Sequence, residues 1–122
     1  MLSLRREDGS GLSQELFDAI ADPTRRTIIE LLAANGQMAA TEIYGNFTMS
    51  NPAVSQHLKV LREAELVRIE KSAQKHLYSL NPDTIHSLEG WIKHTADLWE
   101  QRFDNLDSVI DAEKRKMHKK RR

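Results

Sequence analysis

Ser50-Asn51-Pro52-Ala53-Val54-Ser55-Gln56-His57-Leu58-Lys59-Val60-Leu61-Arg62 reads as one short helix with an apolar back and a polar, basic front. Val54, Leu58 and Leu61 fall at i, i+4 and i+7, so they share the face that seats on a core. Asn51, Ser55, Gln56, Lys59 and Arg62 point roughly the other way. Ser50 suits the N-cap, and Pro52 lies in the first turn, where its missing N–H costs nothing. Amides and hydroxyls near the start of such a helix match base edges in a DNA major groove, and cations further along match phosphates. A solvated surface helix carries similar residues, and from this segment alone the two readings weigh equally.

The surroundings favour DNA. Thr41-Glu42-Ile43-Tyr44-Gly45-Asn46-Phe47 is a short helical stretch with Ile43 and Phe47 four apart, followed by Thr48-Met49. Helix, tight turn, helix is the arrangement that presents a second helix to a groove. Leu66-Val67-Arg68-Ile69-Glu70-Lys71 and His76-Leu77-Tyr78-Ser79-Leu80 then alternate with the period of half-buried strands. Ser72-Ala73-Gln74-Lys75 forms the hairpin tip, which lacks glycine and so leaves the turn geometry open. A helix-turn-helix followed by a hairpin is a winged helix. Lys71, Gln74, Lys75 and His76 are expected on the wing, along the DNA backbone or in the minor groove.

The expected fold class is mainly α with a small β-hairpin: a winged helix-turn-helix with a long C-terminal dimerisation helix. Its 122 residues, 39% hydrophobic, suffice for one small domain. Residues 1–11 read as a flexible N-terminal arm, 12–112 as the DNA-binding and dimerisation domain, and 113–122 as a basic tail. The chain has no cysteine, which excludes disulfides, thiolate–zinc sites and thiol redox sensing within it. No apolar run approaches the ~20 residues of a membrane span and no signal peptide opens the chain, so a cytoplasmic location without membrane association is expected. The net charge is zero but unevenly spread. Residues 1–50 carry −3, 51–82 carry +2, 83–112 carry −5 and 113–122 carry +6, counting Lys and Arg against Asp and Glu. The recognition helix with its hairpin and the tail are therefore where a polyanion can dock.

Upstream, Leu12, Leu16, Phe17 and Ile20 suggest a first helix ending near Ala21. Asp22-Pro23 opens a second, with Asp as N-cap, and Asn35-Gly36 ends it with a left-handed stop. Arg25 and Arg26 in its first turn are either phosphate contacts or, more simply, a solvent-facing pair. Downstream, Asn81-Pro82 starts a long helix. Ile85, Ile92, Trp99 and Leu106 repeat every seven residues, with Ala96, Phe103 and Ile110 four after the last three. One small domain cannot bury that stripe, and a two-fold dimer can. The expected dimer interface comprises Leu16, Ile85, Leu88, Ile92, Trp99, Phe103, Leu106 and Ile110. A dimer also sets two recognition helices one turn apart on a pseudo-palindrome.

Ala21-Asp22-Pro23-Thr24-Arg25-Arg26, the run Asn51–Ala64 and Leu77-Tyr78-Ser79-Leu80-Asn81-Pro82 together resemble the ArsR/SmtB family of winged-helix repressors over roughly residues 12–112. The second motif is the specific one. The resemblance implies a homodimer that binds double-stranded operator DNA and represses transcription. It implies that Ser55 and Gln56 face bases, with His57 and Lys59 nearby. Many such proteins release DNA on binding a metal, and here the chain departs from the pattern. Cysteine ligands are absent, and the alternative set Asp83, His86, His94 and Asp97 has its histidines eight apart where the family places about eleven. The ligand types suit zinc, but solvated polar residues on an amphipathic helix are the favoured reading. The chain looks like the metal-independent branch, with no cofactor and with an effector, if any, unidentified.

The tail Lys114–Arg122 either adds non-specific phosphate contacts or is a solvated end. An enzyme is not expected, since the chain has neither a glycine-rich phosphate loop nor a Cys nucleophile. Ser55 and His57 are two apart and project differently on a helix, so they form no catalytic pair. Two alternatives to a sequence-specific, autoregulatory repressor stay open: a zinc-responsive repressor of the same fold, and a winged-helix interaction module that no longer binds DNA.

Overall fold

The computed structural model describes residues 12–121 and, of 105–109 and 115–121, the backbone only. The expected arm 1–11 lies outside the described residues. The elements run α1 (Gln14–Ile20), α2 (Pro23–Asn35), β1 (Met38–Ala39), α3 (Ala40–Tyr44), α4 (Asn51–Glu63), β2 (Val67–Ser72), β3 (Lys75–Leu80) and α5 (Pro82–Arg121). Two compact units result, one reaching to Leu88 and the other beginning at Glu89, so α5 contributes to both. No helix among the described residues is long and apolar enough to cross a membrane.

The helix starts follow their caps. Ser13 Oγ accepts from the Leu16 amide at 3.1 Å, Asp22 Oδ2 from the Arg25 amide at 3.0 Å and Ser50 Oγ from the Ala53 amide at 3.3 Å. Each satisfies one of the amides that a helix start leaves without an intrahelical partner. Glu42 reaches back in α3, its Oε1 accepting from the Ala39 amide at 2.7 Å. The α2 stop is Gly36 at φ 80°, its amide donating to the Leu32 carbonyl at 2.8 Å.

The end of α4 uses the same device without glycine. Glu65 takes φ 61°, its amide donating to Arg62 O at 3.0 Å while the Leu66 amide donates to Leu61 O at 2.9 Å. Those two bonds make a Schellman stop, and the next side chain, Leu66, is fully buried.

The sheet is antiparallel in the order β1-β3-β2, with Met38 opposite Tyr78, and Val67 opposite Leu80 through to Ser72 opposite Lys75. The hairpin is tighter than the expected tip at 72–75, because Ser72 and Lys75 pair and leave Ala73-Gln74 as the loop. Ala73 supplies the positive φ, 55°, that a two-residue loop requires at its first position. β1 has no counterpart in the sequence reading. The core of the first unit joins Leu12, Leu16 and Ala19 to Ile28, Leu32, Met38 and Ile43, and to Val54, Leu58, Leu61, Ala64, Leu66, Val67 and Tyr78.

Leu16 corrects one expectation. Grouped above with the dimer stripe, it is fully buried in the core of its own unit and has no surface left for a second copy. Its four-residue spacing with Leu12 and Ile20 reflects packing inside the domain.

A left-handed conformation costs a non-glycine residue about 1–2 kcal/mol. Glu65→Gly is expected to raise stability by about 1 kcal/mol, read as a shift of the urea midpoint at unchanged slope. An unchanged or lower midpoint would show that Glu65 makes up for its strain elsewhere.

Candidate nucleic-acid interface

Val54, Leu58 and Leu61 sink the back of α4 into the core. Asn51, Gln56, Lys59 and Arg62 are thereby exposed on the opposite side. β2 packs against α4, and the wing beyond it exposes Lys71, Gln74, Lys75 and His76. The wing tip also meets the start of α3: Gln74, Lys75 and His76 line a surface recess of about 180 Å³ with Ala39, Ala40 and Thr41. Amide and cationic groups on α4 are thus presented outward from a rigid base, with more cations on the hairpin.

Two of the expected DNA-facing side chains are half-buried and already partnered. Ser55 Oγ lies 2.6 Å from the Tyr44 hydroxyl, which tethers α4 to α3. His57 Nδ1 lies 3.3 Å from Arg25 Nη1 and 3.7 Å from Asp22 Oδ2, which tethers α4 to the start of α2. A guanidinium offers only donors, so its bond makes Nδ1 of a neutral His57 the acceptor and puts the ring proton on Nε2. Neither tether was legible in the sequence, since nothing local marks Tyr44 or Asp22 as neighbours of a helix far along the chain.

Arg25 is half-buried and Arg26 exposed, and both guanidiniums are engaged by the fold. Arg25 Nε donates to Ala19 O at 2.7 Å and its Nη2 to Asp18 O at 3.1 Å. Arg26 Nη1 donates to Ile20 O at 2.8 Å and Ala21 O at 3.0 Å. Both therefore cap the C-terminal carbonyls of α1, where a helix end favours positive charge.

The backbone hydrogen bond from Arg25 holds the Asp22 carboxyl below the usual carboxylate range, helped by the His57 and Arg25 side chains and opposed by partial burial. Burial pushes the Tyr78 hydroxyl up, and the neighbouring Tyr44 adds to this while Arg62 opposes it.

Other expected sites separate into distinct places. Ile85 and Leu88 are half-buried against the core of the first unit, and with Ile20, Ile29 and Leu66 they line an apolar recess of about 210 Å³. Within the second unit Ile92, Trp99, Phe103 and Ile110 are exposed, and the Trp99 and Phe103 rings meet edge-on at 5.9 Å between centroids. The Leu106 side chain lies outside the described residues. Of the candidate zinc ligands, Asp83 lies 3.9 Å from Arg68 and Asp97 accepts from Lys93 at 3.4 Å. His86 and His94 are exposed, and no cluster of three or more His, Asp or Glu that could hold a metal occurs among the described residues.

Residues 22–68, from the α2 cap into β2, match the family described as bacterial regulatory protein, arsR family. The repressor SdpR of Bacillus subtilis is 39% identical over 77 residues, covering 63% of this chain and 84% of that protein. An HTH-type transcriptional regulator of Mycobacterium tuberculosis is 36% identical over 97 residues, covering 80% of this chain and 87% of that one. The chain belongs to the ArsR family. A crystal structure of an ArsR family transcriptional regulator superposes with a TM-score of 0.62 at 27% identity, covering 70% of this chain and 88% of that one. This family member is thus a transcriptional regulator with a winged-helix fold.

Because the Asp22 pKa is lowered in the fold, the stability it contributes is present above the unfolded carboxylate pKa and is lost as pH falls through the folded value. Asp22→Asn keeps a cap without the charge. The stability gap between the two proteins should hold above about pH 5 and shrink as the pH is lowered through and below the ordinary carboxylate pKa, followed by urea melts. A gap that does not change with pH would remove the carboxylate from the account.

Proposed function

We propose that this ArsR-family regulator is a homodimeric, cytoplasmic repressor that reads a pseudo-palindromic operator, including one in its own upstream DNA. In this reading α4 enters the major groove, where Asn51, Ser55 and Gln56 face base edges and Lys59 and Arg62 meet phosphates. The wing residues Lys71, Gln74, Lys75 and His76 contact the backbone beside it. One observation carries the reading: the back of α4 is sunk in the core, so its amide and cationic groups are exposed together on a fixed front.

Dimerisation is supported within the second unit by Ile92, Trp99 and Phe103, each at least half exposed. Large apolar side chains left in water along one helix are costly unless a partner covers them. Zinc response is the second reading. It is less favoured, because Asp83 and Asp97 already lie beside Arg68 and Lys93.

The test is a titration of the purified protein against its upstream DNA and a scrambled duplex, at two salt concentrations, with and without zinc. Tight, sequence-dependent binding that zinc leaves unchanged is expected; equal, feeble binding to both duplexes would favour an interaction module. Gln56→Ala should cost about 1–3 kcal/mol on the specific duplex and little on the scrambled one. Lys75→Ala should weaken both and lower the salt slope by about one. Trp99→Asp should shift the protein to monomer in sedimentation and abolish tight operator binding. A variant that stays dimeric would exclude Trp99 from the interface.

A further inference from the structure

The Tyr44–Ser55 pair sits where the recognition helix meets the rest of the fold. Tyr44 is the last residue of α3, and its hydroxyl lies 2.6 Å from Ser55 Oγ. That is a short O–H···O contact between two half-buried groups. Gln56, the next residue on α4, is exposed. A serine hydroxyl carries one proton and two lone pairs. Inside a helix an unengaged serine turns that proton back onto the carbonyl four residues earlier, here Asn51. Either hydroxyl could donate, and a phenol, being the more acidic of the pair, is the better donor, which favours Tyr44 as donor to Ser55 Oγ.

We propose that Tyr44 is a positioning residue for sequence reading. By donating to Ser55 it fixes the serine rotamer and keeps the serine proton off the Asn51 carbonyl, free to donate to an acceptor on a base edge. The inference rests on the reading of α4 as a DNA-reading helix. It assigns discrimination between sequences to a side chain of α3, outside the recognition helix. Tyr44 also packs against the core beside β3, so the same residue joins the wing strand to the reading face.

The probe is a duplex enriched from a random library by the wild-type protein, compared with a shuffled duplex of the same composition. Affinities are measured for wild type, Tyr44→Phe, Ser55→Ala and the double variant, with thermal melting of each as the control on folding. Each single change is expected to weaken the enriched duplex about tenfold and the shuffled one less than about twofold. The double variant should be no weaker than either single variant, because both remove one contact. Libraries enriched again by each single variant should lose preference at the same base pair of each half-site. Four results would overturn the proposal: additive losses, equal losses on both duplexes, preferences relaxed at different positions, or wild-type behaviour of Tyr44→Phe. A wild-type protein that enriches no sequence would instead overturn the DNA reading, before any variant is made, and this inference would fall with it.

Discussion

The burial of Val54, Leu58 and Leu61 is the constraint on which the rest of the structure depends. Each of these side chains contributes about 1.5–3 kcal/mol when taken out of water. Because a helix is rigid, fixing three points on one side fixes the direction of every side chain on the other. The capped start at Ser50 and the left-handed stop at Glu65 then set where that rigid piece begins and ends. A reading face needs no contacts of its own to stay in place if its back is held this firmly.

Polar contacts refine what the core establishes. Tyr44 holds Ser55, and Asp22 with Arg25 holds His57, so two side chains within one turn of α4 are tethered to different elements. Arg25 joins three elements at once: its amide completes the α2 cap, its guanidinium covers the end of α1, and one nitrogen reaches α4. Charge is used for structure here as much as for attraction. The cations left exposed on α4 and the wing are the ones available to a polyanion.

Much of this was legible in the sequence because the signals are local. Asp22-Pro23 and Ser50 with Pro52 mark helix starts through hydrogen bonds to amides within three residues, and Asn35-Gly36 marks a stop in the same way. The back of α4 follows from helical periodicity alone. What escaped depends on distant partners. β1 is two residues long, too short for any alternation to register, and it exists because β3 offers it an edge. The charge of Arg25 and Arg26 does not reveal that both guanidiniums bond carbonyls at the end of α1, Arg26 while staying exposed. Helical spacing around Leu16 suits a core or an interface position alike, and only the packed core shows that its surface is already spent.

The hairpin register has a further implication for how such a wing can change over time. Tyr78 faces Met38 on one side and Ile69 on the other, and its ring belongs to the core, while the loop beyond Ser72 and Lys75 is only Ala73-Gln74. Side chains alternate along a strand, so one extra residue between the tip and Tyr78 turns the whole inner row outward. Inserted pairs keep the alternation and lengthen the wing; single insertions need a bulge to absorb them. Without a bulge the reach of the wing can therefore evolve only in even steps, while the identities of the residues at its tip are free to vary one at a time.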